Sequence, residues 1–331
     1  MLCLLSPVTL LLKWLQRIRH GRAIAATEIN PEIVFILGHW RSGTTLLHEL
    51  LALDDRFAYS NTFECCAPHH FIVSQWFFEK FGAFLLPKRR PMDNMSAGWL
   101  RPQEDEFALL ALGAPTPYRR MAFPNRSPVD AEFLNMEGLS EERLQQWKDA
   151  FQGFLRTLSY RYPGKRLILK SPPHTGRIGL LREMFPAARF VHITRDPHTI
   201  FASTCRLWKS LDDAQALQVP RNKHLRELVF DSFERMYDGF ERHRHAVDES
   251  HICDIRYADL VADPLQVVAE IYDKLNLGDF SPARPKLEAY VAEQRDYKTN
   301  VHQVDPETAA EVSRRWSGYF KKYGYVDAAE S

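Results

Sequence analysis

Neither sign of charge prevails in this chain: 43 Lys and Arg stand against 42 Asp and Glu over 331 residues, a formal net charge of +1. A protein without a field of its own does not gather nucleic acid or other polyanions by bulk electrostatics, so any anion it binds must be held by a local arrangement of groups. No nucleic-acid partner is expected. Cysteine is scarce too. Its five positions, Cys3, Cys65, Cys66, Cys205 and Cys253, are scattered or adjacent and suit neither a disulfide framework nor a zinc site. A reducing, cytoplasmic compartment is the expectation, with no metal. Long apolar runs are missing as well. Met1 to Leu12 is apolar but short, without a basic leader or a small-residue cleavage site, which argues against both a signal peptide and a spanning helix. Internal repeats and low-complexity tracts are absent.

What is present is a composition able to bury a full core, 45% hydrophobic and 12% aromatic, and one domain is favoured. Ser6 as N-cap and Pro7 in the first turn open a helical pattern in which Val8, Leu11, Leu12, Leu15 and Ile18 oppose Lys13, Arg17 and Arg19. This basic amphipathic helix could dock on the protein's own surface, on a second subunit in a homo-oligomer, or on a membrane surface through residues 6–20. The expected organisation is an N-terminal amphipathic helix within residues 1–30, then a single domain over 31–331.

Within that domain short β-branched runs alternate with helical patterns. Ile33–Leu37 precedes a helix over Thr44–Ala52, Leu167–Lys170 one near Arg177–Phe185, and Phe190–Thr194 one from His198; Ile252–Arg256 is a further strand. Such alternation predicts an α/β fold with a central parallel sheet, helices on its faces and ligands at the carboxyl ends of the strands. About a hundred residues, 65–165, break the rhythm and are rich in aromatics and prolines. An insertion of this kind is where an acceptor pocket would be built over the sheet.

The most informative stretch is Ile33 to Leu47, an apolar strand that runs into a glycine-bounded loop and then a helix. Gly38, Gly43 and Thr45 keep the spacing of the phosphate loop G-x-x-x-x-G-K-[ST], but Thr44 stands where the lysine belongs. That lysine reaches the β- and γ-phosphates of a nucleoside triphosphate. A loop without it suits a ligand lacking a γ-phosphate, held by backbone amides, the helix N-terminus and Arg41.

The segment Trp40-Arg41-Ser42-Gly43-Thr44-Thr45 resembles the 5′-phosphosulfate loop of sulfotransferases that use 3′-phosphoadenosine 5′-phosphosulfate (PAPS). About 150 residues later, Arg195-Asp196-Pro197 through Ser203 is similar to that family's R-D-P-x-x-x-x-x-S signature for the 3′-phosphate. The resemblance implies a P-loop-like fold and transfer of a sulfuryl group from PAPS to a hydroxyl acceptor: a small molecule, a lipid or a glycan. It places Arg41, Ser42, Gly43, Thr44 and Thr45 around the phosphosulfate, Arg195 and Ser203 at the 3′-phosphate, and Tyr257 near the adenosine. Lys170, which ends its strand as the family's lysine does, would join Arg41 in stabilising the leaving phosphate; a metal is not required in principle. For the base, Glu64 is similar to the glutamate of Golgi and bacterial members, while the histidine of the cytosolic type has no counterpart beside Lys170. His69, His70, Glu104 and Glu106 are the rivals. Pro102 followed by Glu104, Asp105 and Glu106 also reads as an ordinary helix start favoured by the helix dipole, with Phe107, Leu109 and Leu110 on the buried side. The competing function is a P-loop kinase or NTPase, against which Thr44 and the Arg195 strand end both weigh.

Overall fold

Five apolar runs become five parallel strands: β1 (Val34–Leu37), β2 (Phe57–Tyr59), β3 (Arg166–Lys170), β4 (Arg189–Thr194) and β5 (Ile252–Arg256). The structure, a computed structural model, describes residues 2–82, 98–294 and 304–325, with the side chains of residues 2–5 not described. Helices α1 (Leu2–Ala25) and α2 (Thr44–Leu51) flank β1. Between β2 and β3 lie α3 (Thr62–Cys66), α4 (Phe71–Phe81), α5 (Asp105–Leu112) and α6 (Glu141–Arg161). After β3 comes α7 (Ile178–Met184), and α8 (Pro197–Gln215) and α9 (Leu225–Arg244) separate β4 from β5.

Successive strand residues point to opposite faces, and here both faces are covered. Val34, Ile36, Ile168, Val191 and Ile193 pack with Leu47, Leu50 and Leu51 of α2 and with Val268 and Ile271 of the helix Pro264–Leu275. Phe35, Leu37, Leu167, Leu169 and Phe190 pack on the other side with Phe151, Phe154 and Leu158 of α6 and Phe233, Met236 and Phe240 of α9. This double coverage is why the strands read as continuous apolar runs.

Strand order is β2-β3-β1-β4-β5. The chain fills one side of β1 with β2 and β3 and then crosses to the other with β4 and β5, so the direction of winding reverses at β1. At such a reversal the loops leaving neighbouring strands diverge and open a crevice at the carboxyl end of the sheet. Ile36 is in register with Lys170 on one side and Val191 on the other. The ends of β1, β3 and β4 therefore border the same crevice.

Glu64, expected as the base, is placed elsewhere. It lies in α3, fully buried, and forms a capping box: its backbone N–H donates to Asn61 Oδ1 at 2.9 Å, while its Oε2 accepts from the Asn61 N–H at 2.9 Å. The Tyr162 hydroxyl donates to its other oxygen at 2.7 Å. Both carboxylate oxygens are thus engaged in holding the start of α3, a local job that the Asn-x-x-Glu spacing suits. Burial pushes the carboxyl up to about 7, against the opposing pull of the Asn61 and Tyr162 hydrogen bonds.

A folded-state value above the ordinary glutamate value means that the native state holds this proton more tightly than the unfolded chain. The stability so contributed is complete below about pH 4 and is lost as pH rises through 7. Glu64→Gln has no proton to lose. Between pH 5 and pH 8 the unaltered protein should therefore lose about 2–3 kcal/mol more unfolding free energy than the variant, measured by urea denaturation at the two pH values; parallel losses would contradict this role.

Candidate active site

The loop from Gly38 to Gly43 leaves β1 with two glycines in the left-handed range, Gly38 at φ 147 and Gly43 at φ 109. A Cβ on Gly38 would lie 2.7 Å from the Ile193 carbonyl oxygen, and one on Gly43 would lie 2.3 Å from the Tyr257 ring. Both positions thus need glycine for conformation and for space. Gly43 caps α2 without any side-chain bond to the first-turn amides, so that helix turns a positive, amide-lined end toward the crevice. Ser42 is spent inside the loop, its hydroxyl donating to the His39 carbonyl at 2.8 Å.

Arg41 also has a positive φ, 70°, a conformation that costs a non-glycine residue about 1–2 kcal/mol. Two contacts hold it there. Its Nε donates to Ser203 Oγ at 2.9 Å, and its carbonyl accepts from Arg195 Nη1 at 2.9 Å. Arg195 in turn lies 4.1 Å above the Tyr257 ring. Asp196, which accepts from the Thr199 N–H, and Pro197 start α8 directly after β4, and this brings the buried Ser203 back over the loop. Arg41, Arg195, Ser203 and Tyr257, far apart in sequence, are thereby gathered in one corner. Two guanidinium groups, a hydroxyl and free helix amides form an anion-binding arrangement.

On the opposite side Lys170 ends β3, 2% exposed. Its Nζ donates to Glu104 Oε1 at 2.7 Å and reaches Thr45 Oγ1 at 3.5 Å. The Tyr118 hydroxyl donates to the other Glu104 oxygen and accepts from Trp40 Nε1 at 2.9 Å. A closed chain of contacts therefore runs from the loop through Trp40, Tyr118, Glu104 and Lys170 back to Thr45. The neighbouring acids continue the pattern. Asp105 accepts from Ser171 Oγ at 3.0 Å and pairs with His174 Nε2 at 2.8 Å, and despite its burial these partners hold its carboxyl below the usual range. Glu106 takes the Arg177 guanidinium in two contacts of 2.6 and 3.0 Å and also accepts from Thr116.

The acidic run does start a helix, as expected, but the sides differ from the expectation. Asp105 and Glu106 are buried against charged and polar partners, whereas Phe107 and Leu110 face a cavity. That cavity, about 560 Å³, is lined by polar Arg41, Thr44, Thr45 and Glu104, by Ala111, Leu207 and Leu211, and by the rings of Trp40, Tyr118 and Trp208. Glu64, His69, His70 and Glu106 are not among its lining residues. His70 Nδ1 is hydrogen-bonded to Ser74 Oγ at 2.8 Å, and His69 to the Ala111 backbone. His174, with its ring edge-on to Phe35, is turned into the core. Arg315 is taken by Glu227, Asp231 and Glu234 of α9. Sequence reasoning did not single out Trp40 or Tyr118; Tyr118 sits in a short 3-10 turn, Pro117–Ala122, that carries no motif.

Residues 31–282 match the Sulfotransferase family. The chain is 41% identical over 321 residues to proteins named omega-hydroxy-beta-dihydromenaquinone-9 sulfotransferase Stf3 from Mycobacterium bovis and Mycobacterium tuberculosis, covering 97% of this chain and 82% of those. In fold it is similar to the crystal structures of sulfotransferase STF9 from Mycobacterium avium (TM-score 0.68, 17% identity, 92% of this chain and 80% of that one) and STF1 from M. tuberculosis H37Rv (TM-score 0.65, 20% identity, 93% and 81%). The loop without its lysine, the corner of arginines and the breadth of these matches agree, and the chain is a member of the sulfotransferase family, an enzyme of sulfuryl transfer.

Proposed function

We propose that the donor is PAPS, that the acceptor is the hydroxyl of a lipid, and that Glu104 serves as the general base. The observation that carries this reading is the Glu104–Lys170 pair at 2.7 Å, set where the glycine loop meets the apolar cavity. The donor's phosphosulfate lies on the loop amides, Thr44 and Thr45, beside Arg41. Its 3′-phosphate lies with Arg195 and Ser203, and its adenosine near Tyr257. Glu104 takes the proton of the acceptor hydroxyl as the new S–O bond forms, and the S–O bond to the 5′-phosphate breaks. Lys170, displaced from Glu104 by the donor, stabilises the charge that develops on the leaving phosphate oxygen, as preorganised cations do in related transfers. Glu49 also lines the cavity, but the Tyr290 hydroxyl donates to it and Arg101 stands 3.8 Å away.

The acceptor class rests on the apolar lining of the cavity and on the mycobacterial relatives, which are named for a hydroxylated menaquinone. On this reading residues 31–331 form the sulfotransferase domain, whose segment over about 65–165 supplies the acceptor pocket, with residues 1–30 as an appended helix. Among the described residues Cys65, Cys66, Cys205 and Cys253 are free thiols, in accord with a reducing, cytoplasmic location. A kinase or NTPase is not favoured, because Thr44 occupies the position of the lysine that would reach a γ-phosphate.

Turnover with labelled PAPS and an ω-hydroxylated isoprenoid quinone tests the assignment. Lys170→Ala should fall about a hundredfold, the usual loss when one preorganised charge is removed from a developing oxyanion. Glu104→Gln should fall roughly 10²–10⁴-fold, and less for an acidic nitrophenol, while Glu64→Gln stays within a few-fold of the unaltered protein. Full activity in Glu104→Gln on the alcohol would remove it as base.

At the nucleotide end, Arg195→Ala and Ser203→Ala should each weaken PAPS by about 1.5–3 kcal/mol more than adenosine 5′-phosphosulfate, which lacks the 3′-phosphate and feels only the loosened Arg41. Competition binding of the two donors reads this directly. Equal losses for both would move the 3′-phosphate elsewhere.

A further inference from the structure

Helix α1 is docked through Gln16 and His20, beside half-buried Leu12 and Leu15. Gln16 is buried, its side chain accepting from the Ile72 N–H of α4 at 3.0 Å, and His20 Nδ1 is hydrogen-bonded to the Tyr160 hydroxyl of α6 at 2.9 Å. Other apolar residues face away. Leu10, Leu11, Trp14 and Ile18 are all more than half exposed, and at 3.6 residues per turn they fall within an arc of about 100°. Arg17 and Lys13 border that arc on one side and Arg22 and Arg19 on the other, while Leu2–Ala25 contains no acidic residue. The adjoining α4 adds exposed Trp76, Phe77 and Phe81. The expected docking on the protein's own surface does occur, but it covers only part of the apolar set and leaves Leu10, Leu11, Trp14 and Ile18 exposed.

We infer that α1, extended by α4, seats this protein on an anionic lipid surface. An outward apolar stripe with an aromatic, flanked on both sides by Lys and Arg, is the composition of a helix lying in a membrane interface, with apolar side chains among acyl chains and cations at the headgroups. No described helix is long and apolar enough to cross a membrane, so the attachment is peripheral. A second copy fits the stripe less well. Pairing two such helices would bring like-charged borders together with no acid on either helix to offset them. The position matches the cavity. Gln16 bonds Ile72 at the start of α4, and Cys65 and Cys66, a few residues before it, line the cavity. Resting on the lipid-acceptor reading, this arrangement lets an acceptor keep its tail in the bilayer while its hydroxyl reaches Glu104.

Co-sedimentation of the full chain with vesicles, without donor or acceptor, tests the inference apart from the chemistry. Vesicles of phosphatidylcholine with phosphatidylglycerol should bind the protein, and pure phosphatidylcholine or high salt should bind it far less. Lys13→Glu with Arg17→Glu should weaken binding at least about 30-fold, given the usual gain per cation near an anionic surface. Leu11→Ser, Trp14→Ser and Ile18→Ser combined should weaken it by at least about tenfold. Both variants alter exposed side chains, and both should keep full turnover on a soluble nitrophenol. No binding to anionic vesicles, or binding that survives both sets of substitutions, would overturn the inference. So would light scattering that shows a dimer dissolved by the serine variant while vesicles bind nothing. Loss of sulfuryl transfer with vesicle binding intact would instead count against the proposed chemistry alone.

Discussion

Three consecutive acids bound to one short stretch of chain hold this site together. Glu104, Asp105 and Glu106 meet Lys170, His174 and Arg177 respectively, and nearly all of these groups are out of water. A buried charge stripped of its partner costs several kcal/mol, so such groups tolerate little displacement. The start of α5 is therefore locked over the end of β3 at three successive points. Arg177 is held further by the face of Trp147 at 5.0 Å and by the Phe133 carbonyl. The two inner pairs serve as anchors, and of the outermost pair Glu104 lines the cavity while Lys170 is 2% exposed. Anchoring of this kind preorganises the groups beside the loop.

The opposite wall depends on a different physical device. Arg41 and Arg195 are close enough for one to donate to the other's backbone carbonyl, a placement of like charges that gains most when an anion lies between them. The cost of the left-handed Arg41 is offset by the Ser203 contact. Tyr257 braces Arg195 from the far side and leaves room for the loop only because position 43 has no side chain. In a phosphate loop the lysine comes from within the loop. Here the corresponding charge reaches it from β3, through Lys170 against Thr45, and the parallel register of β1 with β3 makes that reach short.

The cavity between these two walls is lined by residues of α3, α5 and α8. Helix α5 alone presents Glu104 at its N-cap and Phe107 and Leu110 further along, so a single helix start supplies the cavity with both an acid and apolar side chains.

The sequence by itself determined the features that depend on neighbours along the chain. Apolar runs of strand length specified the sheet and its double coverage. The glycine spacing specified the loop, and the absent lysine at Thr44 weighed against a γ-phosphate ligand. Arg195 and Ser203 belong to one strand–turn–helix unit, and that unit was legible for this reason. The surroundings of the acids were not. Sequence favours Glu64 as base over its rival Glu104, and what only the structure adds is a hydrogen bond spanning 98 residues to Tyr162 for one and an ion pair spanning 66 residues to Lys170 for the other. The outward stripe of α1 was hidden in the same way. Periodicity shows that a helix has two faces, but which of them is buried depends on what the partner offers, and here α4 and α6 offer a backbone N–H and a tyrosine hydroxyl. Local propensity acts over a few residues; the desolvation of charged and polar groups is decided by whatever lies across the contact, and only the tertiary structure brings those partners together.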